Sequence, residues 1–98
     1  MNYISPKDWM DKHIKDTQYQ LIDIREAYEC ADCKVNALHI PMAELAGNPE
    51  KLDQQKKNVI MCQSGRRAEA LVNLLETDFQ IHQLHILEGG YSSLIELI

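Results

Sequence analysis

The junction between a short apolar strand and a helix, at residues 59–68, constrains the fold of this chain more than any other feature. An apolar run stops at Cys62, which is typical of a buried strand. Beyond the junction, apolar residues recur at helical spacing: Ala68, Leu71, Val72 and Leu75. The loop of residues 62–67 therefore joins the carboxyl end of a strand to the amino end of a helix. Unpaired amides and the helix dipole stabilise an anion at such a place.

Cys62 is the candidate nucleophile of this loop. A helix N-terminus and two neighbouring cations, Arg66 and Arg67, favour the thiolate, which is the reactive form of cysteine. Gly65 allows the loop to turn its amides inward around one atom, and Ser64 adds a hydroxyl donor. The alternative is a small buried cysteine in a tight turn. We favour the reactive cysteine, because the polar residues that follow it would make a poor apolar pocket.

Strand-like and helical segments alternate along the chain. The predicted strands are residues 3–4, 19–24, 37–40, 58–61 and 84–87. The predicted helical segments are residues 6–15, 26–31, 42–45, 50–55, 68–77 and 91–98. In the first of these helices the apolar side comprises Trp9, Met10, His13 and Ile14. This alternation predicts an α/β fold, with a mainly parallel sheet of four to five strands flanked by helices on both faces.

Polar residues follow three of the predicted strands. They are Asp23 with Arg25, the loop of residues 62–67, and residues 88–90. Parallel strands place their carboxyl ends at one edge of the sheet, and ligand crevices form there. We therefore expect these three segments to converge on one site.

Composition limits the classes of function. A chain of 98 residues predicts one domain over residues 1–98, and a net charge of −5 disfavours binding to nucleic acid or to an anionic membrane. No apolar run approaches the roughly 20 residues that span a bilayer. Three cysteines without an export signal predict free thiols and a cytoplasmic location.

Cys30 and Cys33 are spaced as in redox dithiols and zinc sites. No second pair completes a metal site, and no long helix follows the pair, so we predict no metal. We expect Cys30 to pack in the core and Cys33 to lie in a loop. A role for either as a resolving or sulfur-accepting thiol stays open. The four histidines are scattered, and we interpret them as structural.

Three segments in order resemble the rhodanese sulfurtransferase family. The loop of residues 62–67 fits the family pattern Cys-x-Ser-Gly-x-Arg. Residues 21–29, Leu-Ile-Asp-Ile-Arg-Glu-Ala-Tyr-Glu, are similar to the family's Leu-Ile-Asp-Val-Arg-Glu segment. Residues 87–91, Leu-Glu-Gly-Gly-Tyr, resemble its Leu-Glu-Gly-Gly-aromatic ending. The resemblance therefore implies a rhodanese-like fold.

The resemblance also implies an activity. Cys62 is then the sulfur-carrying nucleophile, and Asp23 and Arg25 support its loop. The substrate-binding residues are Gln63, Ser64, Gly65, Arg66 and Arg67. The implied reaction moves sulfane sulfur from a small anionic donor, such as thiosulfate or a persulfide, to cyanide, a thiol or a protein acceptor, without a cofactor.

Two alternatives to this activity remain. One is a non-catalytic or partner-dependent module that carries sulfur or binds a protein. The other is a small cysteine phosphatase, which the loop length disfavours because phosphatase loops place the arginine six positions after the cysteine, and position 68 here is alanine.

Overall fold

Five parallel strands form one sheet in this computed structural model, which describes residues 2–31 and 33–98. The strands are β1 (Asn2–Ile4), β2 (Tyr19–Asp23), β3 (Leu38–His39), β4 (Lys57–Met61) and β5 (Leu84–Leu87). Their order across the sheet is β1-β5-β4-β2-β3, and each of these pairings is parallel. The register places Ile60 of β4 between Ile22 of β2 and Ile86 of β5. The predicted parallel α/β fold is therefore confirmed.

Helices cover both faces of the sheet. They are α1 (Pro6–Asp8), α2 (Met42–Gly47), α3 (Arg66–Asp78) and α4 (Gly90–Leu94). Short 3₁₀ turns occupy Ala27–Cys30, Pro49–Lys51 and Ile95–Leu97. None of the helices in the described ranges is long and apolar enough to cross a membrane.

The side chains of the strands point alternately to two apolar cores, one on each face of the sheet. Ile22 and Ile60 point to one face, where they pack with helices α2 and α3. Their neighbours Leu21 and Val59 point to the other face, where they join a core that contains Trp9. Strands buried on both faces read as continuous apolar runs. Because side chains alternate along a strand, Cys62 lies on the same side as Ile60, against α3.

The first helical segment is shorter than predicted. Helix α1 continues as a π-helical turn over Trp9–His13, and the Ile14 amide donates to the Trp9 carbonyl at 2.8 Å. This wider turn displaces the helical periodicity by one residue. As a result Ile14 is 46% exposed, whereas the sequence placed it on the apolar side.

Two other predicted helices are also shorter. The helix predicted over residues 50–55 is only the 3₁₀ turn Pro49–Lys51, because Leu52 adopts an extended conformation and buries its side chain. Asp53 then accepts a hydrogen bond from the Gln55 amide, which favours a turn over a helix. The C-terminal helix ends at Leu94 and relaxes into a 3₁₀ turn.

Candidate active site

Cys62 lies directly after β4 and is completely buried. Its Sγ accepts hydrogen bonds from the Gly65 amide at 3.0 Å and from the Ala68 amide at 3.4 Å. Ala68 is the third residue of α3, so its amide is one of the four that a helix leaves unpaired. The sulfur therefore sits at the positive end of the helix dipole, where it accepts from two backbone amides.

Gly65 makes this geometry possible. It caps α3 with φ of +103°, a left-handed conformation that side-chain-bearing residues rarely adopt. The turn aims its own amide at the Cys62 sulfur. Ser64 is exposed at the outer edge of the loop, and its role as a hydroxyl donor stays a prediction.

The segment that follows β5 holds the loop of residues 62–67 in place through hydrogen bonds. The Tyr91 amide donates to the Cys62 carbonyl at 2.8 Å, and the Ser92 amide donates to the Gln63 carbonyl at 3.1 Å. The Gln63 side-chain amide donates to the Ser92 hydroxyl at 2.8 Å. Gly90 lies so close beneath the loop that a Cβ there would stand 2.4 Å from the Cys62 carbonyl oxygen. Backbone hydrogen bonds and close packing thus fix residues 90–92 against the Cys62 loop.

A buried ion pair supports the loop from the end of β2. The Arg25 side chain and the Asp23 side chain are each 2% exposed. Arg25 Nη2 donates to Asp23 Oδ2 at 2.9 Å, and Arg25 Nη1 donates to Gln63 Oε1 at 2.9 Å. The guanidinium also stacks over the Tyr91 ring, 4.0 Å from its centroid. Burial alone would raise the pKa of the Asp23 carboxyl, but the hydrogen bonds from Arg25 outweigh it and lower that pKa.

The two arginines of the loop differ in their surroundings. Arg66 is exposed at the first position of α3. Arg67 binds Glu29 through both terminal nitrogens, each at 2.8 Å from a carboxylate oxygen. This bidentate bond from Arg67 lowers the pKa of Glu29 to about 2. Arg67 therefore connects the loop to the 3₁₀ turn Ala27–Cys30, and no sequence pattern indicated Glu29 as its partner.

We expect the ion pair between Glu29 and Arg67 to stabilise the folded protein near neutral pH and to lose this effect in acid. The folded pKa of Glu29, about 2, lies below its usual value of 4.5, so the stabilisation is present above pH 4.5 and is lost as pH falls toward 2. Because Arg67 is 37% exposed, we expect Glu29→Gln to cost only about 1 kcal/mol near neutral pH. Urea unfolding of both proteins across this range tests the expectation. A difference that stays constant down to pH 2 would contradict it.

The structure corrects one expectation for the cysteines. Cys30 is half-buried and belongs to neither apolar core, because its thiol donates to Asp23 Oδ2 at 3.2 Å. Burial and this hydrogen bond raise the pKa of the Cys30 thiol to about 11. Cys33 lies in a loop, as predicted, with its Sγ 3.8 Å from the same carboxylate oxygen.

Other contributors were not visible in the sequence pattern. The Ala68 amide and the Ser92 side chain contact the loop itself, and the Tyr91 ring contacts Arg25, which supports the loop. His39 Nε2 lies 2.7 Å from the Arg25 carbonyl oxygen, at the end of β3. Within residues 2–31 and 33–98, no group of three or more His, Cys, Asp or Glu side chains is arranged to hold a metal ion.

A parallel α/β sheet whose central strand leads into a cysteine held by backbone amides at a helix N-terminus defines a class of small domains with a cysteine loop at the carboxyl end of the sheet. Residues 6–96 match the family model of the Rhodanese-like domain. The chain therefore belongs to the rhodanese-like domain family, as the sequence motifs predicted.

Known proteins of similar sequence and structure agree with this assignment. The chain is 34% identical over 88 residues to the Bacillus subtilis protein named "Putative sulfurtransferase YtwF", covering 89% of this chain and 84% of that protein. The crystal structure of a rhodanese-related protein from Thermoplasma volcanium is similar with a TM-score of 0.85 and 30% identity, over 99% of this chain and 93% of that one. A rhodanese-like domain protein from Staphylococcus aureus gives a TM-score of 0.81 and 26% identity, over 96% and 91% of the two chains.

Proposed function

We propose that this protein is a sulfurtransferase that carries sulfane sulfur as a persulfide on Cys62. The observation that carries the proposal is the pair of amides, from Gly65 and Ala68, that both point at the Cys62 sulfur. These donors stabilise negative charge on one sulfur atom, either the thiolate before reaction or the persulfide after it. The family assignment and the similarity to a protein named as a putative sulfurtransferase support the same chemistry.

The proposed reaction has two steps. In the first, the Cys62 thiolate attacks the outer sulfur of thiosulfate, a new S–S bond forms, and the old S–S bond breaks with its electron pair leaving on sulfite. In the second, cyanide or a thiolate attacks the terminal sulfur of the Cys62 persulfide and regenerates the Cys62 thiolate. No cofactor takes part, because each step exchanges one bond to sulfur for another.

Loop support is the proposed role of Asp23 and Arg25. Arg25 fixes the Gln63 side chain while its own position is fixed by Asp23, so the loop is held before the donor arrives. Arg66, exposed at the helix N-terminus, is the better candidate for attracting an anionic donor. The charge of Arg67 is neutralised by Glu29. We therefore assign Arg67 to holding the loop in place rather than to holding the departing anion.

The test is the mass of the intact protein after incubation with thiosulfate. We expect the wild type and a Cys30→Ser/Cys33→Ser double variant to gain one sulfur atom, and Cys62→Ser to gain none. Cyanide should then remove the added sulfur and release thiocyanate. If the wild type gains no sulfur, or if Cys62→Ser gains it too, the proposal is wrong.

A second candidate is a carrier that receives sulfur only from a protein partner. Complete burial of Cys62 favours it, because the loop must open before any donor reaches the sulfur. Gain of sulfur by Cys62 from a protein persulfide but not from thiosulfate, together with slow alkylation by iodoacetamide, would support this carrier over the free-standing enzyme. A cysteine phosphatase is disfavoured, because both terminal nitrogens of Arg67 bind Glu29 rather than facing a phosphate in the loop.

A further inference from the structure

Two thiols outside the Cys62 loop converge on one carboxylate oxygen. The Cys30 Sγ lies 3.2 Å and the Cys33 Sγ 3.8 Å from Asp23 Oδ2. The two sulfur atoms are therefore separated by no more than the sum of those distances. The sulfurtransferase reaction proposed above uses neither of them.

The backbone between them suits a disulfide. The Cys33 amide donates to the Cys30 carbonyl at 3.0 Å, so the two backbones lie close together. A hydrogen bond between residues three positions apart keeps their Cα atoms within about 7 Å, and disulfides span about 4.4–6.8 Å between Cα atoms. Both cysteines are half-buried rather than enclosed, so a small reagent has access to them.

We propose that Cys30 and Cys33 form a second thiol site, a dithiol that a small disulfide oxidises to an intramolecular Cys30–Cys33 disulfide, and that this oxidation loosens the support of the Cys62 loop. Asp23 connects the two sites. Its Oδ2 accepts from the Cys30 thiol and from Arg25, and Arg25 in turn holds Gln63. A disulfide has no S–H donor, so Asp23 loses the Cys30 hydrogen bond on oxidation.

The chemistry balances as two thiol–disulfide exchanges. Cys33 as a thiolate attacks one sulfur of the oxidant, which breaks the oxidant's S–S bond and releases one thiol. Cys30 then attacks the Cys33 sulfur and releases the second thiol, and each released thiolate takes up one of the protons lost by the pair. The order follows from burial and the Asp23 hydrogen bond, which keep Cys30 protonated and make it the slower attacking group.

The first experiment asks whether the disulfide forms. The Cys62→Ser variant is incubated with oxidised glutathione, blocked with iodoacetamide and digested with trypsin. Cleavage after Arg25 and Lys34 leaves both cysteines in one peptide of residues 26–34. We expect that peptide to be unalkylated and lighter by two hydrogen atoms than its reduced form. A peptide that carries two alkyl groups, or one bound glutathione on each cysteine, would overturn the proposal.

The second experiment asks whether the disulfide affects Cys62. Oxidised wild type that has lost two hydrogen atoms and bears no glutathione is isolated by intact mass. Alkylation of its Cys62 by iodoacetamide is then followed in the tryptic peptide of residues 58–66, and the same peptide is followed for the reduced protein. We expect oxidation to raise that rate by about fivefold, the equivalent of one ordinary hydrogen bond, because a less supported loop opens more often and exposes the buried Cys62 sulfur. The Cys30→Ser/Cys33→Ser variant keeps hydroxyl donors near Asp23, and its rate should not respond to the oxidant. Equal rates before and after oxidation in the wild type would overturn the coupling.

These two experiments can fail independently of the proposed sulfurtransferase function. An effect of the Cys30–Cys33 disulfide on sulfur transfer rests on that function, but disulfide formation and Cys62 alkylation are both measured without a sulfur donor. A Cys62 that gains no sulfur from thiosulfate would therefore leave the dithiol proposal intact, and a dithiol that stays reduced would leave the sulfurtransferase proposal intact.

Discussion

Replacing Gly90 by alanine is expected to destabilise the protein by about 3–5 kcal/mol, combining backbone strain with overpacking. Gly90 has φ of +63°, and an added Cβ would stand 2.4 Å from the Cys62 carbonyl oxygen and 2.7 Å from that of Gln63. Neither carbonyl is free to move, because the amides of Tyr91 and Ser92 bind them. Urea unfolding measures the change.

Gly47→Ala is the matched control for this substitution. Gly47 ends helix α2, and a Cβ there would meet no atom within 4 Å. We expect this variant to be as stable as the wild type or more stable by up to about 1 kcal/mol, because alanine restricts the unfolded chain. If Gly90→Ala unfolds at the same urea concentration as Gly47→Ala, then Gly90 does not pack as closely against the Cys62 and Gln63 carbonyls as described above.

The fold could be predicted because most of its strands have a recognisable sequence pattern. Parallel strands buried on both faces are continuous apolar runs, and β2, β4 and β5 each stand out in this way. The buried stripe of α3 was equally visible, since Ala68, Leu71, Val72 and Leu75 are all fully buried. Edge strand β3 has only two residues, both exposed, so its bounds of 37–40 were set too wide.

The candidate site could be predicted only where chemistry is concentrated in one segment. The loop of residues 62–67 contains the cysteine, the glycine and the arginines, so its composition identified it. Its supports come from distant segments: Glu29 binds Arg67 across 38 positions, and Lys34 donates its amide to the Tyr91 hydroxyl across 57. Such pairs depend on the fold and leave no local pattern.

Two errors arose where the structure departs from what residue spacing encodes. Helical spacing placed Ile14 on the apolar side, but a π-helical turn rotated it to the surface while Trp9 stayed buried. Cys30 was expected in the core as a small apolar residue, but the buried carboxylate of Asp23 lies within hydrogen-bond distance of its thiol. Residue spacing encodes neither the π-helical turn nor the hydrogen bond between Cys30 and Asp23.

Arg25→Met is expected to lower stability by about 3–5 kcal/mol near neutral pH, because it leaves the Asp23 carboxylate buried without its cation. Methionine keeps much of the side-chain length but cannot hold Gln63, so the loop should open more often and Cys62 should be alkylated faster. The control is Lys51→Met, which breaks the ion pair with Glu44 where both side chains are 43% exposed. That variant should lose no more than about 1 kcal/mol.

The pH dependence of the Arg25→Met effect identifies its cause. In the wild type the pKa of Asp23 is lowered, so its contribution to stability is present above the usual carboxyl pKa and is lost as pH falls. Without Arg25, burial raises the pKa of Asp23, and the variant gains relative stability as pH falls through that raised value. The stability gap between the two proteins should therefore be widest near neutral pH and narrow toward pH 4. Urea unfolding at several pH values measures the gap, and a gap of constant size would mean that Arg25 acts through packing rather than through the charge of Asp23.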